Sequence, residues 1–226
     1  MAKFAKKIHE NKEIFLIKKF IGQFKRKIKK KVKGRFSFVL TGGDSPARLY
    51  QRLSKEKGIN WKKVDFFVGD ERFVSENSNY SNINLCKRKL LNNINISKKQ
   101  IYKIDIKKKL IKKTSINYEK KLKKYFLNKK VKFDLILLGI GLDGHIASLF
   151  KDNIKIKSNK NVETVKRKDY QRVTLSIKCI NNSKAIFLWA PGKNRLNIIK
   201  KILIDRKFKY PASYLKQKNN YLFYSN

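Results

Sequence analysis

The chain has 226 residues, 41% of them hydrophobic, with fifteen Phe, ten Tyr and a formal net charge of +42. That length and aromatic content support a buried core and exclude intrinsic disorder despite the charge. No run approaches the roughly 18 apolar residues of a membrane span, and Cys86 and Cys179 form no CxxC motif, which fits two buried thiols in a reducing compartment.

The N-terminal stretch MAKFAKKIHENKEIFLIKKF lacks a signal-peptide core, because Ile14–Ile17 is broken by Lys18 and Lys19. Glu10 and Glu13 disfavour a transit peptide, so the expectation is a cytoplasmic protein. Residues 4–30 place Phe4, Ile8, Ile14, Ile17, Phe20, Ile21, Phe24 and Ile28 at helical spacing, predicting one or two amphipathic helices with His9 on the surface. Phe36–Leu40 is a short buried strand that runs into TGGDSP. There Pro46 suits a first helical turn, with Asp44 or Ser45 as N-cap. A strand, a Gly-Gly turn and a helix N-terminus in succession form a potential anion site.

Val64–Val68 is a second strand, and the loop GDERFV follows it. Three charged residues there fall where a parallel sheet presents its carboxyl edge. Ser81 or Asn82 is placed to cap a helix reaching Leu91. A short strand at Ile101–Ile104 precedes a helix over Thr114–Leu127, with Thr114 as its N-cap. Apart from Asp134, Phe133–Leu138 is apolar on both faces, as a central parallel strand should be, and GLDGH after it presents Asp143 and His145. The glycine spacing does not make a dinucleotide fingerprint, and Ser148 is not set in a nucleophile elbow. Val162–Val165 and Arg172–Ile177 are further strands. Ala185–Ala190 leads through Pro191-Gly192 to a helix with Lys193 and Arg195 at its start, and Tyr221–Tyr224 is a last strand. Trp61 and Trp189 are read as packing residues.

Alternating strands and helices predict a single α/β domain over 1–226, Rossmann-like, with a mainly parallel sheet and helices on both faces. Right-handed crossovers bring the strand ends TGGDSP, GDERFV, GLDGH and PGKNR to one edge. A phosphate-binding turn, an arginine beside carboxylates and a histidine together suggest acid–base chemistry on a phosphorylated small molecule.

At these residues the chain resembles a known family. LTGGDSPARLYQRL, VDFFVGDERFVSENSNYSNINLCKRKLL and FDLILLGIGLDGHIASLF are similar to three blocks of the 6-phosphogluconolactonases, within the glucosamine/galactosamine-6-phosphate isomerase superfamily; RVTLSIKCINNSKAIFLWAPGKNR and YPAS fit its C-terminal part. The related deaminases share the GxGxDGHIA turn but continue as FNEP, whereas this chain has Ser148, Leu149 and Phe150, with Arg72 in its second block.

The resemblance implies hydrolysis of 6-phosphogluconolactone, without metal or cofactor. It matches His145 to the family's catalytic histidine and Arg72 to its active-site arginine. His145 is then read as a general base acting on water, with Asp143 placed to orient its ring and Arg72 to stabilise the oxyanion or hold the phosphate. Gly42, Gly43, Asp44, Ser45, Asp70, Arg72, Asn82, Gly144 and Arg195 are the candidate substrate- and phosphate-binding residues. Asp44-Ser45 stands where Ser-Thr is usual, and Arg195 where Lys is usual. The expected partner is a small phosphorylated sugar lactone, with no specific nucleic acid and no membrane, on a monomer or homodimer. The alternatives are an amino-sugar-phosphate deaminase or isomerase and, from another class, a basic nucleic-acid-binding protein. Against the latter, the lysines are dispersed and accompany abundant Asn and Ile, as A+T-rich coding produces, and no binding module is present.

Overall fold

A computed structural model describes residues 4–106, 110–205, 208–216 and 220–226. Seven parallel strands form the main sheet. In spatial order they are β1 (Lys6–Glu10), β10 (Asn220–Ser225), β9 (Ile186–Ala190), β6 (Leu135–Gly139), β2 (Phe36–Leu40), β3 (Val64–Val68) and β5 (Ile101–Tyr102). A second, antiparallel sheet joins β4 (Asp70–Arg72), β8 (Gln171–Leu175) and β7 (Val162–Lys166).

The central strands are apolar on both faces because both faces are covered. Along β3, side chains alternate. Phe66 meets Phe38 and Trp61 on the face packed by α1 (Glu13–Lys29), whose Phe24 touches both of those rings. Phe67 points the other way, to Tyr125 of α4 (Ile111–Tyr125) and to Phe126 and Phe133. Phe20 of α1 packs edge-on against Phe187 and Trp189 of β9. The mainly parallel sheet and two-sided helical cover are as the sequence pattern predicts. Trp61 and Trp189 are both buried in this core.

Several local expectations are corrected. Residues 6–10 are not helical: KKIHE is an edge strand, paired with β10 from Lys6↔Tyr221 to Glu10↔Ser225, and its lysines face solvent. His9 therefore lies on a strand, with its ring beside Tyr224 and Nε2 bonded to Asn226. Helix α2 is Ala47–Ser54, with Pro46 itself at the N-cap, and neither Asp44 nor Ser45 caps it through a side chain. Thr114 sits inside α4, where its hydroxyl bonds back to the Leu110 carbonyl instead of capping the helix. β8 ends at Leu175. Ser176 then caps a short helix, α5 (Ile177–Asn181), by accepting from the Cys179 N–H at 3.1 Å, so Ile177 is helical. The loop expected after β3 is strand β4. Ser81 does cap α3 (Asn82–Lys89), accepting from the Asn84 N–H at 3.2 Å.

At the opposite edge from the loops described next, Asp134 ties β2 to β6. Its carboxylate accepts from the backbone N–H and hydroxyl of Ser37, and from Lys31 and Lys184 at 2.7 Å each.

Candidate active site

Four strand ends meet at one cavity of about 200 Å³. β2 supplies residues 41–45, β3 leads into Asp70 and Arg72, β6 delivers residues 139–147, and β9 leads to Arg195. This is the carboxyl edge of the parallel sheet, where open α/β sheets bind ligands.

The first loop is set by its own neighbours. The Tyr50 hydroxyl accepts from the Thr41 N–H at 2.9 Å and donates to the Thr41 carbonyl at 2.7 Å, fixing the strand end from the first turn of α2. Trp189 Nε1 donates to the Ser45 carbonyl at 3.0 Å. Gly42 must lack a side chain, because a Cβ there would lie 1.9 Å from Asn82 Oδ1. Gly43 has φ +80, which favours glycine. Asp44 is exposed, and the Ser45 hydroxyl is buried without a hydrogen-bond partner. A buried hydroxyl left unpaired costs free energy, and this one lines the cavity.

Alternation along β4 divides its charged residues. Asp70 and Arg72 line the cavity. Glu71 turns away to the N-terminus of α3, accepting from the backbone N–H groups of Asn82 at 2.7 Å, Ile83 at 2.8 Å and Arg72 at 2.9 Å, and from the Ser81 hydroxyl. Burial pushes the Glu71 carboxyl up, to about 7, against the downward pull of those N–H groups. Asp70 accepts from the Ser148 hydroxyl at 2.7 Å. Ser148 is wholly buried and committed to that bond. Asn82 donates to the Asp70 carbonyl and accepts from the Arg72 guanidinium at 3.3 Å, so its amide holds the arginine. Arg72 also donates to the Tyr80 carbonyl at 2.9 Å.

Arg172, which the sequence reading placed on a strand and assigned no role, lies directly opposite Arg72 across the β4–β8 pair and lines the same cavity. Its guanidinium is buried, paired with Asp169, and leaves Nε without a partner. Like charges directly opposite on neighbouring strands are destabilising. Two such arginines at a cavity wall favour an anion between them. The signal was present in RVTLSI as a charged residue at the head of an alternating stretch, but the partner strand was unknown.

The turn after β6 orients the histidine. Asp143 Oδ1 lies 2.6 Å from His145 Nδ1 and accepts from the His145 N–H at 3.2 Å. Partial burial of Asp143 opposes ionisation, but its bonds with the His145 ring and backbone outweigh that and lower its pKa. With Nδ1 hydrogen-bonded to a carboxylate, Nε2 is the basic nitrogen. The ring rests on Phe150, centroids 4.5 Å apart. A Cβ on Gly141 would stand 2.1 Å from His145 Nδ1, so only glycine leaves room for this imidazole.

Gly144 does not line the cavity. At φ +81 it packs against Tyr210, and its carbonyl accepts from the Ala212 N–H at 3.1 Å, so the YPAS segment backs the turn. Ala147, with φ 48, reaches the cavity at some backbone strain.

Arg195 donates through Nε to the Ile140 carbonyl and through Nη1 to the Pro191 carbonyl, joining the β6 and β9 loops. Burial pushes its pKa down, and Glu13 opposes that shift. Of the residues singled out from sequence, Gly42, Gly43, Asp44, Ser45, Asp70, Arg72, Asn82, His145 and Arg195 line one cavity, and Asp143 positions the histidine. Among the described residues no group of three or more His, Cys, Asp or Glu is placed to hold a metal ion, and no helix is long and apolar enough to cross a membrane.

Comparison with known proteins gives the same pattern of relatives throughout. The 6-phosphogluconolactonase of Thermotoga maritima is 30% identical over 197 residues, covering 85% of this chain and 84% of that one. The 6-phosphogluconolactonase of a Synechocystis species is 30% identical over 189 residues, covering 81% and 78%. The crystal structure of the Thermotoga maritima 6-phosphogluconolactonase superposes with a TM-score of 0.85 at 25% identity, over 98% of this chain and all of that one. The profile of the glucosamine-6-phosphate isomerases/6-phosphogluconolactonase family matches residues 12–224. With the sheet, the four strand-end loops and the relatives in agreement, the chain belongs to the glucosamine-6-phosphate isomerase/6-phosphogluconolactonase family.

Proposed function

We propose that the protein is a 6-phosphogluconolactonase, a single α/β catalytic domain over residues 1–226. It hydrolyses 6-phospho-D-glucono-1,5-lactone to 6-phospho-D-gluconate, the second step of the oxidative pentose phosphate pathway. The observation that carries this reading is the His145 imidazole, held at Nδ1 by Asp143, in a cavity that also presents Arg72, Arg172 and Arg195.

The phosphate lies between the opposed guanidinium groups of Arg72 and Arg172, within reach of the unpartnered Ser45 hydroxyl and the Gly42–Gly43 backbone. A dianion there relieves the Arg–Arg repulsion and satisfies buried donors. Asp44, being exposed, can keep its charge in solvent. His145 Nε2 takes a proton from water as the water oxygen bonds to C1 of the lactone. The tetrahedral intermediate then collapses, the bond from C1 to the ring oxygen breaks, and His145 returns its proton to that oxygen. A lactone is an activated ester, so no covalent nucleophile is needed. Asp143 fixes the tautomer and stabilises the imidazolium while it exists.

The test is a coupled assay in which a sugar-phosphate dehydrogenase generates the lactone and its loss is followed above the spontaneous rate. His145→Ala is expected to lower kcat by about 10²–10⁴-fold with the fold retained. Near-normal turnover by the variant would remove His145 from the mechanism, and absence of lactonase activity in the unmodified protein would overturn the function.

A further inference from the structure

A second cationic groove lies apart from the lactone cavity. It is about 610 Å³ in volume and runs along α2, between the first turns of α1 and the end of α3. Arg48, Arg52 and Lys55 of the α2 segment and Arg88 and Lys89 of α3 line it.

Three features set this groove apart from the general basicity of the chain. The first is residue type. The chain has ten arginines against 48 lysines, and three of those ten line this groove, as three others line the lactone cavity. Lysine supplies diffuse charge as well as arginine does, but only the planar guanidinium offers a fork for phosphate oxygens. The second is pairing. Arg35, Arg167 and Arg172 are each bonded to an aspartate. Arg52, Lys55, Arg88 and Lys89 have no carboxylate partner among the described residues, and Arg48 meets only Glu13, at 3.3 Å. Cations in the last turn of a helix do favour its dipole, which accounts for charge at Arg52 and Arg88. It does not account for guanidinium groups from two helices converging on one concavity. The third is the floor. Ile17 is buried beneath the groove, and Ile14, 38% exposed, lies against it. An apolar floor under a guanidinium rim suits a ligand with a flat ring at one end and phosphates at the other.

We propose that this groove is a second anion site that binds a nucleoside diphosphate, its phosphates on Arg48, Arg52 and Arg88 and its base over Ile14 and Ile17. The site stands apart from the lactonase reading and does not depend on it. It adjoins the lactone cavity, however. Arg48 and Glu13 also line a depression shared with Asp44, Ser45 and Arg195. A phosphate drawn to Arg48 competes with Glu13 for that guanidinium, and so bears on the rim of the phosphate loop.

The experiment is calorimetric titration of the whole protein with ADP, and separately with pyrophosphate, at about 0.15 M salt, where the screening length is about 8 Å. Saturable binding of one ADP per chain is expected. Arg52→Gln/Arg88→Gln should weaken it at least about tenfold, since a bond to a charged group contributes about 1.5–3 kcal/mol. Both side chains are exposed, so the fold and basal lactonase activity should be unchanged. The charge-conserving Arg52→Lys/Arg88→Lys should also weaken binding, and pyrophosphate should bind less tightly than ADP. The proposal is overturned if ADP does not saturate at one site or if the lysine variant binds like the unmodified protein. It is equally overturned if Lys200→Gln/Lys201→Gln on the exposed face of α6 (Leu196–Ile204) weakens ADP as much as the arginine double variant does, since net charge alone would then explain the effect. Pyrophosphate binding as tightly as ADP would overturn the nucleoside assignment.

Discussion

At the scale of single residues, the site depends on what is missing as much as on what is present. His145 occupies space that a side chain on Gly141 would take, with its Nδ1 2.1 Å from where a Cβ would stand. Gly141→Ala therefore forces the imidazole out of its contact with Asp143 and off Phe150. Displacing a catalytic group by about 1 Å can cost about 10²-fold, and a kcat loss of that order is expected, with KM little changed because the arginines are untouched. Steady-state kinetics on the folded variant checks this; unchanged kcat would mean that the turn accommodates a methyl group and that His145 is not confined as described. The sequence made His145 and Asp143 legible because a rare residue sits in a glycine-rich turn after a buried strand. It did not reveal that Asp143 would reach Nδ1, since neighbours two apart in a turn can equally point away from each other. Gly144, bracketing the same turn, was legible as a special position but not as the one that seats Tyr210.

At the scale of elements, apolar runs identified the strands that carry the cavity, and charged segments concealed the others. β2, β3, β6 and β9 are buried on both faces and were read from their composition. KKIHE became a strand only because β10 offers it an edge, and DER only because β8 lies alongside. Those short strands are where the sequence reading was incomplete, because their stability comes from partners distant in sequence. β4 accordingly carries two consequences. The first is ligand binding. Arg172→Gln removes one of the two opposed guanidinium groups, so the expected change is a KM increase of about tenfold or more with a much smaller change in kcat. Thermal stability without ligand should be equal or higher, because the Arg72–Arg172 repulsion is gone. A variant whose kcat falls while its KM holds would move Arg172 from phosphate binding to the chemical step.

The second consequence concerns pH. Burial pushes the Glu71 carboxyl from an ordinary 4.5 to about 7. A carboxyl raised in the folded state binds its proton more tightly there than in the unfolded chain, so its contribution is complete below about pH 4.5 and is lost as pH rises to about 7. The shift corresponds to up to about 3 kcal/mol across that window. Unfolding midpoints measured from pH 4.5 to 7.5 should fall more steeply for the unmodified protein than for Glu71→Gln. Parallel curves would show that the four donors around Glu71 keep it ionised throughout.

At the scale of the whole molecule, the charge of +42 acts on stability and on substrate capture in ways that salt can separate. Most of the sixteen carboxylates are already paired with cations, including Glu76 with Lys87 and Lys103, Asp105 with Lys121, and Asp134 with Lys31 and Lys184. What remains is a large excess of lysines spread over the surface, and their mutual repulsion opposes compaction. Sodium chloride shortens the screening length from about 30 Å at 0.01 M to about 10 Å at 0.1 M, which weakens this many-body repulsion more than it weakens close pairs. The melting temperature is therefore expected to rise with added sodium chloride, the reverse of a fold held by surface ion pairs. Substrate capture should respond in the opposite sense. A phosphorylated lactone is drawn to the positive field, so kcat/KM should fall as salt rises, while kcat, which the proposed mechanism sets at His145 after binding, stays nearly constant. Differential scanning fluorimetry and steady-state kinetics over one salt series test both. A melting temperature that falls with salt would show that local pairs dominate the energetics. A kcat/KM that ignores salt would show that the lysine excess gives the enzyme no advantage in collecting its substrate.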